Sequence, residues 1–114
     1  MKNQLIDRST KYGLENSAIS QIISILESNL KIEKIVLFGS RAKGNFQNGS
    51  DVDLSLMGKE LTLNDILNAS IEIDELALPY KFDLIIYNRI KEKALLEHID
   101  RVGITLFERD MGSV

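Results

Sequence analysis

The chain contains no cysteine, which excludes disulfide bridges and zinc–thiolate centres. It has one proline, Pro79, and one histidine, His98. No apolar run approaches the ~18 residues needed to span a bilayer. The opening stretch from Met1 to Gly13 lacks the apolar core of a signal peptide. A cytoplasmic location with no membrane association is the resulting expectation. Positive charge is also scarce: 14 Lys and Arg face 17 Asp and Glu, a net charge of −3. Domains that hold nucleic acid through bulk electrostatics are usually basic, so direct nucleic-acid binding is not expected. Repeats, low-complexity tracts and interdomain linkers are absent. What is there suits an ordinary globular fold: 114 residues, 44% hydrophobic and 27% charged, enough for one domain with a modest core. The expected unit is a single domain over 1–114, with residues 1–14 a loosely ordered arm or short turn.

One stretch organises the rest. The apolar run Ile35-Val36-Leu37-Phe38 leads into Gly39-Ser40; ten residues later Asp51-Val52-Asp53 enters a second apolar run, Leu54-Ser55-Leu56-Met57. The pattern predicts strand, tight polar turn, strand. Side chains at i and i+2 of a strand project to the same face, roughly 6.6 Å apart. Asp51 and Asp53 therefore point together, while Val52, Leu54 and Leu56 point the other way. Two adjacent carboxylates with no local cation repel each other, and a divalent metal removes that repulsion. Hard oxygen ligands favour Mg²⁺, which takes one or two carboxylates and completes its shell with water and substrate phosphates. In the turn, Gly39 lets a phosphate approach the main chain. Ser40 offers a hydroxyl and an N–H, and Arg41 and Lys43 add positive charge. A short helix starting at Ser40 would turn its free N–H groups toward an anion. A nucleoside triphosphate with Mg²⁺ suits both halves.

Around this core the periodicity predicts a helix over about 17–29, capped by Asn16 or Ser17, with Ile19, Ile22, Ile23, Leu26 and Leu30 on its buried face. The first strand spans about 33–38; its consecutive apolar residues suggest burial on both faces and a central place in the sheet. The second strand spans about 51–57, antiparallel to the first because the connection is too short for a crossover helix. A second helix runs from Thr62, with Asp65 completing a capping box, to about Ala77, with Leu63, Ile66, Leu67 and Ser70 inward; Pro79 ends it. The third strand, Phe82 to Tyr87, follows by a right-handed parallel crossover. A third helix over about 90–101 is capped by Asn88. It buries Leu95, Leu96, Ile99 and Val102, and Gly103 serves as its C′ residue. Ile104 to Phe107 alternates as a short final strand. His98 sits among charged helix neighbours and reads as exposed or structural. Asp83 lies between apolar residues of the third strand, where an unpaired charge is costly; beside the second strand it would join Asp51 and Asp53 around a metal.

The spacing Gly39-Ser40, ten residues, Asp51-x-Asp53 resembles the signature of the DNA polymerase β-like nucleotidyltransferase superfamily. The phrase from Leu37 to Gly44, followed by Ser50-Asp51-Val52-Asp53-Leu54, is similar to its smallest branch, the minimal nucleotidyltransferases. That resemblance implies an α/β (α+β) fold: a small mixed sheet, strands 1 and 2 antiparallel and 2 and 3 parallel, flanked by helices. It implies Mg²⁺-dependent transfer of a nucleoside monophosphate, AMP from ATP, through two metal ions held by Asp51, Asp53 and Asp83. Asp83 is then a ligand or the base. Ser40 holds the β- or γ-phosphate, Gly39 allows close approach, and Arg41 or Lys43 meets the leaving charge. Such proteins are often paired with a HEPN-domain toxin and act as its antitoxin by adding AMP to a tyrosine.

Two other functions compete. A non-enzymatic module would neutralise a HEPN partner by complex formation alone. An aminoglycoside-type enzyme would modify a small molecule, its acceptor site requiring a dimer interface. With only one short strand expected after the third helix, little chain is left to bind an acceptor, so a partner protein or a homo-oligomer is expected to complete the site.

Overall fold

A computed structural model describes residues 10–110. The N-terminal arm falls only partly within them: 1–9 lie outside, and the remainder is more ordered than expected. Thr10–Lys11 (β1) and Leu14–Glu15 (β2) pair as a hairpin through Tyr12 and Gly13. Both turn residues have positive φ, +57° and +74°, as a two-residue type I′ turn demands. Leu14 is fully buried.

The first helix, α1, is Asn16–Glu27. Its cap position is Glu15, with no side-chain cap bond, rather than Asn16 or Ser17. Ala18, Ile22 and Leu26 are its buried residues. Leu30, expected on the same stripe, is 76% exposed. The helix ends at Glu27, where the Ser28 hydroxyl donates to the Ile25 carbonyl, and the stripe cannot continue past that turn.

β3 is Lys34–Phe38, followed at once by the four-residue helix α2, Ser40–Lys43; β4 is Val52–Met57. β3 and β4 are antiparallel, pairing Phe38 with Asp53 and Val36 with Ser55. α3, Leu63–Glu75, leads to β5, Phe82–Ile86, which runs parallel to β4. After a 3₁₀ turn at Tyr87–Arg89, α4 spans Lys93–Val102 and β6 spans Ile104–Glu108, antiparallel to β3. The strand order is β5-β4-β3-β6. This is the small mixed α/β sheet expected, with β3 and β4 central.

The sheet has two unlike faces. Ile35, Leu37, Val52, Leu54, Leu56 and Ile86 pack with Ile22 and Leu26 of α1 and Ala69 and Ile73 of α3. On the other face Val36 and Phe38 form a smaller apolar cluster with Ile99 of α4, with Met57, Ile85, Tyr87 and Leu95 partly buried beside them. Residues paired directly across strands share a face, so Asp53 and its parallel partner Asp83 lie on this thinly covered side.

Three further expectations are corrected. Leu63 and Leu67 of α3 point outward, 63% and 51% exposed, and Ala69 and Ile73 point inward. The capping box at Thr62 is present, but Asp65 is also held by Lys31 at 2.8 Å and Asn29 at 3.1 Å. Those bonds set the rotation of the helix. Asn88 does not cap α4; its Oδ1 accepts from the Gly58 N–H at 3.0 Å. Gly103 is extended rather than left-handed (φ −60°, ψ 141°). It is needed because a Cβ there would collide with the Ile99 carbonyl and come within 2.6 Å of Val36.

Candidate active site

The site forms where β3 ends. Gly39 has φ +78° and ψ −158°, a region open essentially to glycine. A Cβ at Gly39 would strike the Asp53 carboxylate. The glycine is therefore required twice, for its backbone angle and for the room it leaves Asp53. Ser40 opens α2 on this turn, and the Lys43 N–H closes back onto the Gly39 carbonyl at 3.0 Å.

β4 delivers the acids. Val52, Leu54 and Leu56 are buried in the main core, which leaves Asp53 on the opposite face; Asp51 precedes the strand and is exposed. Parallel pairing places Asp83 beside Asp53. Asp53 has its pKa raised, first by burial, then by the negative charges of Asp83 and Asp51. Asp83 and Asp51 thus both bear on Asp53. Asp83 is exposed on the edge strand, not enclosed by its apolar neighbours, because those residues face the core and Asp83 faces out. Among the described residues no three His, Cys, Asp or Glu side chains close into a ready metal cage; the site is an open acidic face.

Arg41 lies elsewhere than expected. Its side chain turns into the protein and is 4% exposed. Nε and Nη2 donate to the Ser50 carbonyl at 3.2 and 2.9 Å, and Nη1 donates to the Tyr12 carbonyl at 3.0 Å. The guanidinium also sits over the Phe46 and Tyr80 rings, at 5.2 and 5.6 Å from their centroids. It clamps the turn between the two strands to the N-terminal hairpin, and its donors are committed there. Lys43 is exposed at the end of α2.

A residue that the sequence left as exposed or structural reaches the site. The Gly39 N–H donates to His98 Nε2 at 3.2 Å, and the imidazole stands edge-on to Phe38, centroids 6.1 Å apart. No spacing in the sequence signals this contact, since 59 residues separate the partners.

Comparison with known proteins bears on the fold and the family. Residues 20–112 match the family model described as polymerase beta, nucleotidyltransferase. Two proteins of Methanocaldococcus jannaschii, provisionally named protein adenylyltransferases, are similar. One is 29% identical over 65% of this chain and 78% of its own length; the other is 31% identical over 54% and 77%. A chain of a toxin–antitoxin crystal structure with AMP-PNP superposes with a TM-score of 0.66 at 24% identity, covering 79% of this chain and 73% of that one. A chain from the structure of the tri-AMPylated Shewanella oneidensis HEPN toxin with its MNT antitoxin gives 0.61 at 22% identity, covering 80% and 70%. The glycine-serine turn, the acids beside it and a match over most of the chain lead to one assignment: this protein belongs to the polymerase β-type nucleotidyltransferase family and is a nucleotidyltransferase.

Proposed function

We propose that this nucleotidyltransferase transfers AMP from ATP to a hydroxyl of a protein, a tyrosine of a HEPN-domain partner, and so acts as the antitoxin of a toxin–antitoxin pair. The observation that carries this reading is the placement of Gly39-Ser40 against Asp53, with Asp83 in register beside it. A triphosphate cradle and an acidic metal face there share one end of the sheet. The exposure of Asp51 and Asp83 leaves the approach open to a macromolecular acceptor. The names of the similar proteins point the same way.

The donor set fits a hard divalent cation: all three groups are carboxylates, and Asp53, its pKa raised first by burial, is raised further by the charges of Asp83 and Asp51, a repulsion that such a cation relieves. Asp51, Asp53 and Asp83 would hold Mg²⁺, with two ions as the resemblance implies, and bound metal would neutralise the triphosphate and acidify the acceptor hydroxyl. The Ser40 hydroxyl and backbone N–H hold a terminal phosphate, and Gly39 allows its close approach. Lys43 rather than Arg41 supplies mobile positive charge to the departing pyrophosphate. Asp83 accepts the proton of the acceptor hydroxyl. The hydroxyl oxygen bonds to the α-phosphorus, the bond from that phosphorus to the bridging oxygen breaks, and pyrophosphate leaves with the electron pair.

The test is the intact mass of a HEPN partner after incubation with this chain, ATP and Mg²⁺, beside the Asp51→Asn/Asp53→Asn variant. A gain of one or more AMP units, absent with the variant, is the expected result. A stable, silenced complex with no mass gain would instead establish neutralisation by binding alone.

A further inference from the structure

We propose that His98 is a positioning residue of the nucleotide site, acting through the Gly39 amide; this rests on the nucleotidyltransferase reading above. Gly39 lies one residue beyond the last β3–β4 pair, Phe38 with Asp53. Its N–H has left the ladder and is taken by His98 Nε2 at 3.2 Å. To accept there, the ring is neutral and carries its proton on Nδ1. The peptide so held joins Phe38 to Gly39, and its orientation determines where Ser40 and the Asp53 carboxylate stand.

The imidazole is itself well fixed. Phe38 meets it edge-on, the ring planes 81° apart. The next residue of α4, Ile99, is buried against Val36 and Phe38. At the foot of the helix, Gly103 lets the backbone close onto Val36, and at its outer side the Tyr87 hydroxyl donates to Asp100 at 2.8 Å. α4 thus forms a docked support that presents one acceptor to one peptide of the cradle. That peptide sits in a backbone region that costs energy to hold. The surroundings must over-determine it, and His98 is the side chain that does so from the open face. The Gly39 N–H is already satisfied, so His98 serves the phosphate by fixing the turn rather than by touching it.

The experiment measures binding of α,β-methylene ATP with Mg²⁺, which occupies the site without releasing pyrophosphate, to the full chain, His98→Leu and His98→Gln. Thermal midpoints are read in parallel. Loss of one oriented hydrogen bond predicts about tenfold weaker binding by His98→Leu, with a midpoint lower by no more than a few degrees. Partial recovery is expected in His98→Gln, whose amide oxygen can accept. Binding by His98→Leu within twofold of the parent overturns the inference, as does a loss that follows the midpoint and is not recovered by Gln. The parent protein supplies a check free of folding effects: a scalar coupling across the hydrogen bond between the Gly39 and His98 Nε2 nitrogens, whose absence also overturns it. If the parent binds no nucleotide while that coupling is present, the proposed function fails and the contact is structural only.

Discussion

Asp53 carries opposed demands. It stands against Gly39, is partly buried, and faces two other carboxylates. Its pKa is raised on folding, so the folded state prefers it protonated. That contribution to stability is present at low pH and is lost as pH rises from the unfolded value of about 3.9 through the higher folded value. Asp53→Asn should therefore abolish AMP transfer yet raise the melting temperature by a few degrees at neutral pH, with little gain below the carboxylate range. Melting curves of both proteins at pH 4 and 7 check this. Arg41 presents the reverse case. It makes three hydrogen bonds to two carbonyls and contacts two rings. Arg41→Ala should cost about 2–4 kcal/mol in urea unfolding. Arg41→Lys should recover little, because an ammonium cannot reproduce the planar fork.

Among the elements, α3 shows how a polar anchor chooses between two apolar stripes. Leu63, Leu67 and Ile71 would serve as an inward face as well as Ile66, Ala69 and Ile73 do. Asp65, bound to Thr62, Asn29 and Lys31, turns the helix so that the second set is buried. Ile73→Ala should accordingly destabilise by about 2–5 kcal/mol. Leu67→Ser should stay within about 0.5 kcal/mol; chemical denaturation separates the two. The same bonds hold the Asp65 carboxyl well below the usual carboxylate range, the Lys31 ammonium first among the causes. Its contribution is present above the unfolded pKa and is lost as pH falls toward the depressed folded value. Asp65→Asn should flatten that acid limb of the melting-temperature profile.

At the scale of the molecule, one sheet separates two tasks. The face under α1 and α3 carries most of the core, and the face under α4 carries the acids and the histidine-held turn. Ligand binding at the second face should stabilise the whole fold by mass action. Mg²⁺–ATP at about a hundredfold its Kd should add about 2.7 kcal/mol, a rise of several degrees. The rise should vanish in EDTA or in Asp51→Asn/Asp53→Asn, and calorimetry reads it directly. Much of this architecture was legible in the sequence. The strand–turn–strand around Gly39-Ser40 and the antiparallel and parallel pairings follow from local spacing and connection length, which are properties of neighbouring residues; the register that sets Asp83 beside Asp53 is a contact between strands. The burial of Arg41, the rotation of α3, the I′ hairpin at Tyr12-Gly13 and the bond from Gly39 to His98 did not follow. Each depends on which distant groups meet: Arg41 with Tyr12, Asp65 with Lys31, Gly39 with His98. By itself the chain determined its element order, its closely spaced acids and its glycine-serine turn, because these are written at short range. Only the tertiary structure decided which cation clamps the turn and which side chain holds its peptide, because long-range packing chooses partners that no local spacing encodes.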